Sequence, residues 1–197
     1  MGKLQSLAKD TAIYGLSSII GRFLNYLLVP LYTAKMSVES GNYGVVTNVY
    51  AWTAILLVLL TFGFETTFFR FASKENADIK RVFSMSMQVV GSLCAVFLLA
   101  VFMFLPGISE TLGYAANPEF IGMMAVVVAL DALQAIPFGL LRLQKRPLKF
   151  AALKLLFIGM NIAMNLFAFV ALPYLAAEMP DTFSRFYDPH NQAFYVF

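Results

Sequence analysis

Charge is scarce in this chain. Asp, Glu, Lys and Arg make up only 13% of its 197 residues, about half the share found in soluble domains. That scarcity excludes an ordinary water-facing surface. Cysteine is scarcer still. A single residue, Cys94, rules out an intrachain disulfide, and its place inside a long apolar run suits a small buried hydrophobe. The one histidine, His190, has no Cys, Asp or Glu around it at metal-ligand spacing. Catalytic signatures are missing too. There is no G-x-x-x-x-G-K-[ST] loop, no paired-His motif and no Gly-x-Ser-x-Gly elbow. These absences argue against an enzyme, and no cofactor is implied. A cleavable signal peptide is not expected: the apolar stretch after Lys3 and Lys9 is too long and lacks a small-residue cleavage site. No internal repeat or low-complexity segment is visible.

What the chain does have is hydrocarbon. It is 60% hydrophobic with a mean hydropathy of +0.75, as expected where the outer surface meets lipid. A membrane-crossing helix needs about 20 mostly apolar residues. Five segments qualify: Thr11–Tyr32, Tyr43–Phe64, Val82–Phe104, Phe120–Leu141 and Phe150–Tyr174. The fold class is therefore all-α, a polytopic transmembrane helix bundle. Ser40-Gly41-Asn42 reads as a turn. Asn117-Pro118-Glu119 reads as an N-cap, a first-position proline and a first-turn acid, and Pro147 as the opening of the fifth span. Asp188-Pro189-His190-Asn191 reads as a loop, from about residue 191 a sixth apolar run begins, and the sequence is expected to be truncated within it.

The net charge of +3 does not point to nucleic acid, because the basic residues alternate between loops. Lys3 and Lys9 precede the first span. Arg70, Lys74, Lys80 and Arg81 follow the second, and Arg142, Lys145, Arg146 and Lys149 follow the fourth, with Lys154 just inside the fifth. The opposite loops hold Lys35, none, and Arg185. The positive-inside rule then places the N-terminus in the cytoplasm, and the Arg142–Lys149 cluster reads as a topology determinant touching anionic lipid.

A charge at mid-membrane costs about 2.5–3.5 kcal/mol on insertion scales and normally faces protein or a wet cavity. Arg22 lies near the centre of the first span. Ser18, Arg22 and Asn25 share one helical face, with Gly15 a turn earlier and Pro30 as a bend beyond. Asp131 lies at matching depth in the fourth span, followed by Gln134 and Pro137. Two readings stand: a structural Arg22–Asp131 ion pair, or an Arg22 that meets an anionic substrate with Asp131 as counter-charge or proton carrier. Asn161 and Asn165 at i, i+4 read chiefly as helix-joining amides, as do Gln88 and Ser92. Tyr32, Tyr43, Phe64 and Tyr174 read as interface anchors. Glu65 and Arg70, spaced i, i+5, are poorly placed to pair and are expected to find partners elsewhere.

The stretch Gly21-Arg22-Phe23-Leu24-Asn25-Tyr26-Leu27-Leu28-Val29-Pro30-Leu31-Tyr32-Thr33, followed by Ser37-Val38-Glu39 and Tyr43-Gly44, resembles the first-span signature of polysaccharide transporters. These are the Wzx-type oligosaccharide-lipid flippases of the multidrug/oligosaccharidyl-lipid/polysaccharide exporter superfamily. Gly63-Phe64-Glu65-Thr66-Thr67-Phe68-Phe69-Arg70-Phe71 is similar to the end of that family's second span, and Leu141-Arg142 through Arg146-Pro147 to its loop after the fourth. The resemblance implies an incomplete N-terminal transmembrane lobe over residues 1–197. It further implies a flippase in the bacterial inner membrane that moves undecaprenyl-diphosphate-linked sugar repeats outward for surface polysaccharide synthesis. Its partners would be lipid-linked oligosaccharide and membrane lipids, with glycan polymerase machinery a candidate and nucleic acid excluded. Arg22 suits phosphate oxygens, while Ser18, Asn25, Gln134, Asn161 and Asn165 could meet sugar hydroxyls. Three rivals are a cation-extruding multidrug antiporter, a membrane-embedded glycan-assembly enzyme using the acidic loop of Glu178, Asp181, Asp188 and His190, and a non-functional remnant.

Overall fold

A computed structural model describes residues 3–36, 42–179 and 192–196. Ser37 to Gly41, the segment with Asp181, Arg185, Asp188 and His190, and Phe197 lie outside them. Among the described residues the secondary structure is helical: α1 (Lys3–Tyr26), α2 (Leu28–Lys35), α3 (Asn42–Thr61), α4 (Phe64–Ala72), α5 (Ile79–Met103), α6 (Leu105–Thr111), α7 (Glu119–Leu143), α8 (Pro147–Leu166) and α9 (Leu172–Glu178). A π-helical turn, Phe167–Ala171, joins α8 to α9, and Gln192–Tyr195 forms one 3₁₀ turn. Among the described residues five helical stretches are long and apolar enough to cross a membrane: Thr11–Lys35, Tyr43–Ala72, Ile79–Met103, Glu119–Leu143 and Pro147–Glu178. Large apolar side chains cover their outside, among them Val58, Met103 and Leu130. Such a surface suits lipid and not water.

The helix ends follow from local chemistry. Pro30 has no N–H for the Tyr26 carbonyl, and its ring would strike that carbonyl. α1 accordingly stops at Tyr26, and the Leu27 N–H is shared between the Phe23 and Leu24 carbonyls, 3.2 Å from each. The second span is interrupted by two left-handed residues, Phe62 (φ 42°) and Gly63 (φ 70°), between α3 and α4. Glycine adopts that conformation freely, whereas phenylalanine is strained in it. α5 starts earlier than expected because the Asp78 carboxylate accepts from the Arg81 N–H at 3.1 Å, a side-chain N-cap. At α7 the expectation is corrected. Pro118, not Asn117, holds the N-cap position, and the Asn117 amide instead donates to Glu119 Oε1 at 3.0 Å. Pro147 does open α8.

The chain divides into two compact units, Met1–Val46 with Pro147–Val196, and Thr47–Arg146. In the first, α1 and α8 pack in parallel. Tyr14 meets Phe150 edge-on at 5.1 Å, Gly21 lies against Ile158, and Tyr32 of α2 meets Phe169 at 5.4 Å. A side chain at Gly21 would run into Ile158 Cδ1, so the glycine sets the close approach. In the second unit α7 is the centre, with Ala125, Val128, Ala129, Ala132 and Ile136 all buried. Its small residues admit α5 closely. Cys94 is buried there and its thiol donates to the Ala129 carbonyl at 3.6 Å.

Candidate functional site

The polar residues singled out in the sequence fall into two groups, one in each unit. Ser18, Arg22, Asn25, Asn161 and Asn165 belong to the first, and Asp131 and Gln134 to the second.

In the first unit these residues lie along the seam between α1 and α8. Phe150, Lys154, Ile158, Asn161 and Asn165 recur at helical spacing along α8. The contacts of Phe150 with Tyr14, of Ile158 with Gly21 and of Asn165 with Tyr32 turn this face toward α1 and α2. Arg22 directly follows Gly21 and is exposed. Ser18 is half-buried and its hydroxyl donates to the Tyr14 carbonyl at 2.9 Å, while buried Ser17 does the same at 3.1 Å. Such back-bonding satisfies a hydroxyl without a second helix. The Asn25 side chain lies outside the described part of the structure. Asn161 is exposed.

Asn165 is the helix-joining amide of this unit. It is only 4% exposed. Its Oδ1 accepts from the Tyr32 hydroxyl at 2.7 Å, and its Nδ2 donates to the Asn161 carbonyl at 2.9 Å. Tyr32 is therefore an internal hydrogen-bond donor, not an interface anchor. No spacing signal could have found this bond, which joins residues 133 positions apart. Lys154, read from sequence as part of the basic boundary, lies on the seam face with its Nζ 5.9 Å from the Phe150 ring centroid.

In the second unit Asp131 and Gln134 are half-buried on α7, and the Gln134 amide donates to the Asp131 carboxylate. Elsewhere in this unit Glu65 of α4 pairs with Arg142 of α7, the distant partner expected for Glu65. Gln88 and Ser92 correct their reading. Both are exposed, and among the described residues the Ser92 hydroxyl donates within its own helix, to the Gln88 carbonyl. A groove of about 570 Å³ in the same unit is lined by Trp52, Leu56, Phe97, Val101, Ile121 and Met124 among others. It offers hydrocarbon and little polar chemistry. Among the described residues no group of three His, Cys, Asp or Glu is placed to hold a metal ion.

No curated protein and no solved structure matches the chain. A family model does: that of the polysaccharide biosynthesis protein family, over residues 7–153. The match covers well over half the chain, from Leu7 within α1 through the α4 segment with Glu65 and the whole of α7 to Leu153 in the first part of α8. The chain thus belongs to the polysaccharide biosynthesis protein family, whose members are transporters, and is itself a multi-pass membrane protein.

Proposed function

We propose that this protein is a flippase carrying undecaprenyl-diphosphate-linked oligosaccharide repeats from the cytoplasmic to the outer leaflet of the bacterial inner membrane, for surface polysaccharide synthesis. The observation that carries the reading is Arg22. It lies about 16 Å along the first span, counted from Thr11 at about 1.5 Å per residue, and it is exposed. No acidic residue occurs between Thr11 and Tyr32 to neutralise it within that span. A guanidinium at that depth needs a wet or anionic neighbour, and a carrier of a diphosphate brings one. Its planar donors suit phosphate oxygens, with Ser18, Asn25, Gln134, Asn161 and Asn165 as further polar partners for the sugars. Asp131 serves in this reading as a proton carrier. No nucleotide-binding loop is needed, because an ion gradient can drive alternating access.

Reconstitution into vesicles tests the reading. Lipid-linked oligosaccharide should cross in the presence of the protein, and Arg22→Ala should abolish crossing while insertion and yield stay normal. Normal transport by Arg22→Ala would remove the proposal. Transport of cationic dyes in place of the glycolipid would establish the antiporter reading instead.

A further inference from the structure

The α1–α8 seam holds a second cation besides Arg22. The contacts of Tyr14 with Phe150 and of Gly21 with Ile158 fix the register of the two parallel helices. By that register Lys154 falls level with Ser17 and Ser18, about 6 Å, or one helical turn, short of Arg22. Both cations therefore belong to one unit and one helix pair. Neither Thr11–Tyr32 nor residues 147–174 contains a single Asp or Glu, so no carboxylate within these two spans compensates them. The contrast with Arg142, which is matched by Glu65, is direct.

A lysine kept only to mark the end of a span has no need of the protein-facing side of its helix. Lys154 lies there, between the positions that touch Tyr14 and Gly21, with its ammonium near the Phe150 ring. Two cationic residues whose backbone positions lie one turn apart, with no carboxylate in either span and serine hydroxyls beside them, fit an anion with two charged centres. Resting on the export reading, we infer that Lys154 is a positioning residue for the cargo. It receives one phosphate of the lipid-linked diphosphate while Arg22 receives the other, so that the seam distinguishes a diphosphate from a monophosphate.

Binding measured on the purified full protein in detergent tests this without reference to transport. The probes are farnesyl diphosphate, farnesyl monophosphate and inorganic pyrophosphate. The wild type should bind the diphosphate lipid about tenfold more tightly than the monophosphate, the worth of one charge-assisted hydrogen bond. Lys154→Met should erase that preference while keeping the wild-type Tm, and Lys154→Arg should retain it. An unchanged preference in Lys154→Met, or an equal loss toward both lipids, would overturn the inference. Pyrophosphate bound as tightly as farnesyl diphosphate would also overturn it, because the site would then read a free anion. Failure of the glycolipid to cross vesicles, with the Lys154-dependent preference intact, would sink the export reading and leave the anion site standing.

Discussion

At the scale of single residues, the Tyr32 hydroxyl and the Asn165 amide show how a polar pair can hold two spans together. In lipid there is little hydrophobic drive for one helix to choose another, so small residues and hydrogen bonds do the selecting. Gly21 provides the close approach at Ile158, and the Tyr32–Asn165 bond closes the far end of the same interface. Removing the hydroxyl leaves Asn165 Oδ1 without its tyrosine donor in a site shielded from water. A double-mutant cycle of Tyr32→Phe and Asn165→Leu should give a coupling energy of about 0.6–1.7 kcal/mol, between the average and the maximum found for interhelical hydrogen bonds in membranes. Reversible unfolding in mixed micelles would measure it. Zero coupling would reduce the contact to coincidence of packing.

Between elements, the second unit depends on a helix pair that sequence spacing could not reveal. Gly139 on α7 leaves room for α4, since a Cβ there would stand 3.5 Å from Phe68 Cδ1 and 3.7 Å from Glu65 Cγ. Arg142, one turn further along α7, then meets Glu65. Gly139→Ala makes only ordinary contacts and should be mild, whereas Gly139→Val should cost about 1–3 kcal/mol by overpacking against Phe68. Glu65→Gln should cost about 1 kcal/mol or less, because both partners are more than a third exposed or nearly so (39% and 34%) and solvent screens the pair. Thermal unfolding of the three variants at low and high salt checks the ordering, and only Glu65→Gln should lose its effect in salt. The spans themselves were legible because length and apolar content determine them almost alone. Pro30 and Pro147 were legible because proline acts locally. The left-handed Phe62, the π turn at Phe167–Ala171 and the Glu65–Arg142 pair were not. Each depends on residues far apart in sequence or on strain that the surrounding fold sustains. Within the candidate site, the mid-span depth of Arg22 could be read directly from the sequence, whereas the seam position of Lys154 required the register of α8 against α1.

For the whole molecule, the proposed export turns on orientation, since that decides which leaflet would load the α1–α8 seam. The basic residues supply the argument. Arg70, Lys74, Lys80 and Arg81 surround the α4–α5 connection, whereas the segment from Phe104 to Glu119 contains no Lys or Arg and has Glu110 and Glu119. Translocating the first cluster would work against the positive-inside bias; translocating the second segment would not. The buried thiol of Cys94 makes the chain a convenient background for added cysteines. Ser73 and Ala116 are both exposed and lie in these two connections. Ala116→Cys should react with a membrane-impermeant maleimide in intact cells, and Ser73→Cys only after permeabilisation. The reverse pattern would put the N-terminus outside. A flippase oriented that way would present the seam first to the outer leaflet, where a lipid-linked precursor made in the cytoplasm is not available to it. Export would then fail on topology even if Arg22 and Lys154 bound diphosphate as described.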